Sequence, residues 1–479
     1  ALLLGGAMAP VFAADVKNLS VTVSSGTQAN AYGGYTIEEG ASALQNALTL
    51  SGPAKVLGAS AGGWSRWGNA EWNTLTIRLD EDGLLGPSDI VGGGVAESEG
   101  GGAAVHNTVY IESGTVEGTV EGGVAVGING VGDGTGDVLS NQVTMSGGTV
   151  YSVFGGETGE GNANDNVVTI KGSAAVTGKS NAVYGGYTID GNASGNIVNI
   201  EDDADIHGEI MGGYTRAGSL ISGNKVNVTG GNVNENTVYG VYTAYGDVLD
   251  NQAVIKGTGQ AGSSDTNSVY AGFTNIGAAA GNILYIQDSA EIAGSAFAGY
   301  QGGFISSETV ERNQVFMSGG SVGGDLTGGG SNNGGETLNN YVEITGGTVS
   351  GNVYSGFTDS ADALENTLTV AGGRVEGSLF GGYSNTGTAN ENKLTFSAGT
   401  AGSDAYGGYA QEGADGNEAV LSGTSVLEGN AAGGSSARGE ASGNSLTIKE
   451  NSEVKGDAAG GDVYMGTISK NIITIQYNA

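Results

Sequence analysis

The chain has 479 residues, with 94 Gly, 3 Pro, no Cys and a formal net charge of −34 from 50 acidic and 16 basic residues. Such a surface repels phosphate backbones and anionic lipid, so no nucleic-acid partner is expected. The lack of Cys excludes a disulfide framework and thiol chemistry, and suits a protein that crosses a membrane unfolded.

Residues 1–13 open on a short apolar run, Ala1 to Ala9. Val11-Phe12-Ala13 then places small or medium residues where a signal peptidase cuts, before Ala14. We read 1–13 as a signal-peptide remnant and 14–479 as the exported part. No later segment approaches the roughly 18 consecutive apolar residues of a transmembrane helix.

At Leu19-Ser-Val-Thr-Val the repeat begins. Its full form, Asn-x-apolar-x-apolar, starts at Asn46 and recurs sixteen times, ending with the copy at Asn471, at spacings of 25 to 34 residues, most often 27. A period of this size defines a solenoid, whose repeats bury their apolar faces only against their neighbours. About 14 to 20 residues after each start comes a small-residue pair followed by an aromatic, as in Gly33-Gly34-Tyr35 and Gly185-Gly186-Tyr187. We expect a glycine corner flanked by stacked rings.

The second coil carries all three tryptophans within Gly62 to Trp72. Trp64 holds the ordinary ring position. Trp67 and Trp72 fall where other coils carry Gly, Ala or Asn, and are candidates for stacking on a sugar or anchoring a protein, against a capping role. His106 and His207 lie three coils apart and cannot share a metal. Acidic turns such as Asp80-Glu81-Asp82 and Glu201-Asp202-Asp203 lack calcium-loop spacing, so neither a metal nor a cofactor is expected. In three consecutive coils the fourth, outward position of the strand, usually Thr or Asn, becomes Val254, Tyr285 and Phe316, with Ile283 and Tyr341 nearby at the second position. This strip is the second candidate contact surface.

Asn366 to Glu391 is the clearest unit. Asn366, Leu368 and Val370 alternate with Thr367 and Thr369, as in a half-buried strand. Gly372-Gly373 breaks the strand, Val375 and Leu379-Phe380 offer two more, and a polar stretch closes the unit. Three short strands per 27 residues predict an all-β fold, a right-handed, single-stranded parallel β-helix of about sixteen coils, rising ~4.8 Å per coil to roughly 77 Å. The inward Asn should hydrogen-bond along the axis. The chain stops inside a fresh coil at Asn471, so further protein is expected beyond it.

The Asn-x-Val-x-Ile-x-Gly-Gly type of unit (Asn141 to Gly148, Asn340 to Gly347) and Val183-Tyr-Gly-Gly-Tyr-Thr188, in an exported Cys-free chain, resemble the passenger region of a Gram-negative autotransporter. The resemblance spans Leu19 to Asn478. It implies display at the cell surface or secretion, with a C-terminal outer-membrane barrel that this sequence does not include. It further implies an adhesin or structural stalk, whose partner is a surface protein or glycan of a host or neighbouring cell, or a second copy. Protease members of that family carry a Gly-Asp-Ser-Gly nucleophile, which is absent. A polysaccharide lyase or hydrolase on the same scaffold is the alternative; Arg is scarce, carboxylates are dispersed, and no catalytic residue is nominated.

Overall fold

The structure, a computed structural model, describes residues 15–476 apart from 88–89, 98–100, 128–132, 180–181, 235, 263–268, 304–306 and 333. The signal-peptide reading of 1–13 lies outside these. The described residues contain no α-helix, and the strands stack as a β-solenoid of about sixteen turns. Contacts divide the chain into Ala1–Asn236 and Thr237–Ala479.

In the first unit the Asn strands Ser20–Val23, Ala47–Gly52, Thr74–Leu79, Thr108–Ser113 and Gln142–Met145 pair in parallel, each one repeat from the next. The second unit repeats the arrangement from Gln252–Ile255 to Ile472–Gln476. Alternation decides burial. Leu368 and Val370 are buried while Thr367 and Thr369 stay partly exposed.

The coil beginning at Asn366 shows where the expectation needs correcting. Its first strand does not stop at Gly372-Gly373. It runs Thr367–Val375, with its register slipping at Ala371 and again before Arg374. The polar closing stretch is not all turn either. It contains the short strand Ala389–Asn390, which joins a separate parallel sheet with Ala363–Leu364 and Thr337–Leu338.

The glycine pair is not a corner between strands. Gly381 and Gly382 lie inside Leu379–Ser384, and neither has positive φ. The strand bends there, because Phe380 and Tyr383, three residues apart, both stack with rings of the next coil. Glycine is needed for space. A Cβ on Gly382 would lie 2.3 Å from Cγ of the buried Asn392. The same closeness recurs at Gly299 with Asn313 and Gly434 with Asn444. Val241 is the departure: it holds the equivalent position and is itself fully buried.

The asparagines form a continuous polar rail within each unit. The backbone N–H and the Nδ2 of Asn366 both donate to Oδ1 of Asn392, each at 3.0 Å. Its Nδ2 also donates to the Thr337 carbonyl at 3.0 Å. Its own Oδ1 accepts the corresponding pair from Asn340 at 3.0 and 2.9 Å. Every polar atom of the side chain is thereby satisfied without water. The residue before each Asn turns left-handed, with φ from 53° at Arg312 to 69° at Gly195. That turn aims the following Asn inward.

Asn366→Ala removes the acceptor of two buried donors, so we expect a loss of about 2–4 kcal/mol by urea denaturation. The outward neighbour Thr369→Ala should stay within about 0.5 kcal/mol. Equal effects from the two would contradict a structural rail.

Candidate interaction surface

The pairing register places Val254 beside Tyr285 and Tyr285 beside Phe316. The Tyr285 and Phe316 rings stack at 5.3 Å and 18°. Tyr341, paired with Gln314, leans across so that its ring lies 5.9 Å from Phe316 at 54°. Burial, and then Glu343, raise the Tyr341 hydroxyl, opposed by a hydrogen bond with Thr369. The strip is less open than expected. Val254 is buried at 9% exposure, and Tyr285, Phe316, Ile283 and Tyr341 are half-buried. Ile283 sits two residues before Tyr285 on the same strand and is separated from Tyr341 by the coil of Gln314. The rings therefore make one compact trio, with Ile283 at its edge. It ends where Glu343 pairs with Phe316.

The two tryptophans do not share one loop. Trp67 is half-buried in the bend after Ser60–Ser65, and the strand Ala70–Glu71 separates it from Trp72. Trp72 occupies the left-handed position before Asn73, with φ of 57°. That corner throws its side chain outward, leaving it 56% exposed, and its ring stacks on His106 of the next coil at 4.2 Å and 26°. His106 holds the same position before Asn107. His207 instead contacts Asp205, with 2.9 Å between Nε2 and Oδ2. Trp64 belongs to the ring stack near Tyr32 and donates from Nε1 to Glu97 at 2.7 Å. Among the described residues, no group of three or more His, Asp or Glu is placed to hold a metal ion.

The sequence points to one ring beside the glycine pair, whereas most coils of Thr237–Ala479 carry two. In the second unit one column holds Tyr239, Tyr270 and Phe297, then Tyr354, Phe380 and Tyr406. The other holds Tyr242, Phe273 and Tyr300, then Phe357, Tyr383 and Tyr409. Successive rings stack nearly parallel, as in Tyr354–Phe380 at 5.0 Å and 6° or Tyr383–Tyr409 at 5.4 Å and 10°. Their faces are spent on one another and their edges meet solvent. The signal was present in the sequence as an aromatic three residues before the one after the glycines.

In the first unit two carboxylates replace rings in these columns. Glu121 pairs with Phe154 and is 1% exposed; Glu157 pairs with Val124 on one side and Tyr187 on the other. Glu157 as a whole is half-buried, but its carboxyl is shielded among rings, and desolvation pushes it up to about 8. No family model, no curated protein and no solved structure matches this chain.

Because the folded carboxyl of Glu157 holds its proton more tightly than an unfolded one, its contribution is fully present below the ordinary carboxylate range. It is lost as pH rises towards about 8. The melting temperature should therefore fall across that window, and Glu157→Gln should flatten the decline and raise stability at pH 8. An unchanged slope in the variant would place the carboxyl in solvent.

Proposed function

We propose that this chain is an exported, cell-surface β-solenoid of the autotransporter-passenger type, acting as an adhesin or stalk through side chains on its outer strands. The observation that carries this reading is the ring trio Tyr285, Phe316 and Tyr341, with Val254 and Ile283; Val254, Tyr285 and Phe316 fill, in three successive coils, the fourth strand position that most coils give to Thr or Asn. Parallel stacking brings equivalent residues ~4.8 Å apart, so a few substitutions in adjacent repeats create a contiguous apolar patch on an otherwise polar face. Aromatic residues in such a patch supply most of the energy of a typical protein contact. Trp72, exposed and stacked on His106, is the corresponding feature of the first unit. The partner is a protein or glycan of another cell surface, or a second copy of the chain. The enzymatic alternative would draw on Glu121 and Glu157, but the burial of Glu121 removes it from any substrate, which favours contact over turnover.

Replacing Tyr285 and Phe316 together by Thr restores the usual residue at that position and should leave the circular dichroism spectrum unchanged. Adhesion of chain-coated beads to cells, or self-association by sedimentation, should weaken about tenfold or more. Retention of both at wild-type strength would reject the trio and leave Trp72 to be tested by the same assays.

A further inference from the structure

Three pairs of tyrosines stand one above the other in consecutive coils. The strand register pairs Tyr187 with Tyr214, Tyr239 with Tyr270 and Tyr383 with Tyr409. Their ring centroids lie 4.9, 5.2 and 5.4 Å apart, with planes 7°, 8° and 10° from parallel. All six residues are half-buried. Shared register and near-parallel planes make one ring of each pair almost a translated copy of the other, so like carbons face like carbons.

That geometry suits one reaction of phenols. A phenol gives up one electron and one proton to a one-electron oxidant. The phenoxyl left behind carries its spin on the oxygen and on the ortho and para ring carbons. The para carbon is blocked by Cβ, while the ortho carbons are open. Two such radicals held side by side couple without a diffusive encounter. Burial, then Tyr214 and Glu157, pushes the Tyr187 phenol up to about 12, so at neutral pH its proton leaves with the electron. Tyr354–Phe380 and Phe357–Tyr383 stack in the same way, at 5.0 Å and 6° and at 5.5 Å and 11°. Each has only one phenol and serves as a built-in control.

The most exposed tyrosines lack such a neighbour. Tyr110, Tyr151, Tyr245 and Tyr464 are exposed, Tyr464 at 86%, and among the described residues none of them stacks on another ring. A radical formed there has to find its partner by diffusion.

We propose that Tyr187–Tyr214, Tyr239–Tyr270 and Tyr383–Tyr409 are sites of dityrosine cross-linking between consecutive coils, driven by hydrogen peroxide through a haem peroxidase. In each pair both phenols lose one electron and one proton. A bond forms between their ortho carbons, and the hydrogen on each of those carbons moves to the ring oxygen, which restores the phenols. The two electrons and two protons reduce one hydrogen peroxide to two waters. The product ties one coil to the next in a chain without Cys, and restricts the unfolded chain as a disulfide does. It involves the ring columns and not the Tyr285–Phe316 trio, so it stands or falls independently of the proposed function.

The test treats the whole chain with hydrogen peroxide and a haem peroxidase, then maps proteolytic fragments by mass spectrometry. Tyr187–Tyr214, the closest and most nearly parallel pair, decides. The monomeric product should contain a fragment joining these two residues, in a yield per chain that dilution leaves unchanged. Tyr214→Phe keeps a ring in the stack and should lose that fragment while the other two cross-links remain. Tyr464→Phe removes the most exposed phenol and should leave all three. The two chains, wild type and Tyr214→Phe, should melt alike before oxidation, and oxidised wild type should melt higher than the oxidised variant. Dityrosine found only between chains, in a yield that falls on dilution, would overturn the proposal. So would cross-links that spare Tyr187–Tyr214, or no dityrosine under conditions that couple free tyrosine.

Discussion

One hydrogen-bonding unit organises each coil: a buried asparagine whose Oδ1 receives two donors from the preceding coil's asparagine and whose Nδ2 reaches a carbonyl there. Asn444 repeats what Asn366 does, accepting from Asn417 at 2.8 and 3.0 Å and donating to the Ala414 carbonyl at 2.6 Å. A buried amide without partners costs more than a made bond returns. The rail therefore tolerates neither a missing member nor a shift in register. It fixes which residue of one repeat lies beside which residue of the next.

Other features follow from that constraint. The amide needs room, so the strand crossing it carries Gly at Gly382, Gly408 and Gly434, each with a would-be Cβ within 2.4 Å of an Asn side-chain atom. The amide must point inward from a turn, so the residue before it adopts left-handed φ, even where that residue is Trp72 or Arg312. Removing side chains beside the rail brings the backbone close and leaves the outer face of that strand to rings. The rings then stack in register because the rail has already set it. Strain of order 1 kcal/mol at a left-handed corner persists because the paired amide behind it over-determines the geometry.

Much of this was legible in the sequence. The recurrence of Asn with alternating apolar residues specified parallel coils, and the outward Val254, Tyr285 and Phe316 fell in one line because register follows the repeat. The short strands Ala363–Leu364 and Ala389–Asn390 were not legible, since two residues carry no periodicity. The glycine pair was misread as a corner because glycine serves both positive φ and close approach, and only coordinates separate the two. Trp72 looked like a loop residue because its left-handed turn has no single residue type: Gly195, Asp250, Arg312 and His106 all fill it. Glu157 was missed because a carboxylate in a strand reads as solvent-facing until its neighbours are known to be rings.

Amide hydrogen exchange tests the rail most directly. The backbone N–H of Asn366 and its side-chain Nδ2 protons should exchange as slowly as the Leu368 N–H in the adjoining strand, because both need the same cooperative opening. The exposed Asn385 side chain should exchange far faster. If the Asn366 side chain exchanges at the rate of Asn385, its hydrogen bonds are not what holds one coil to the next.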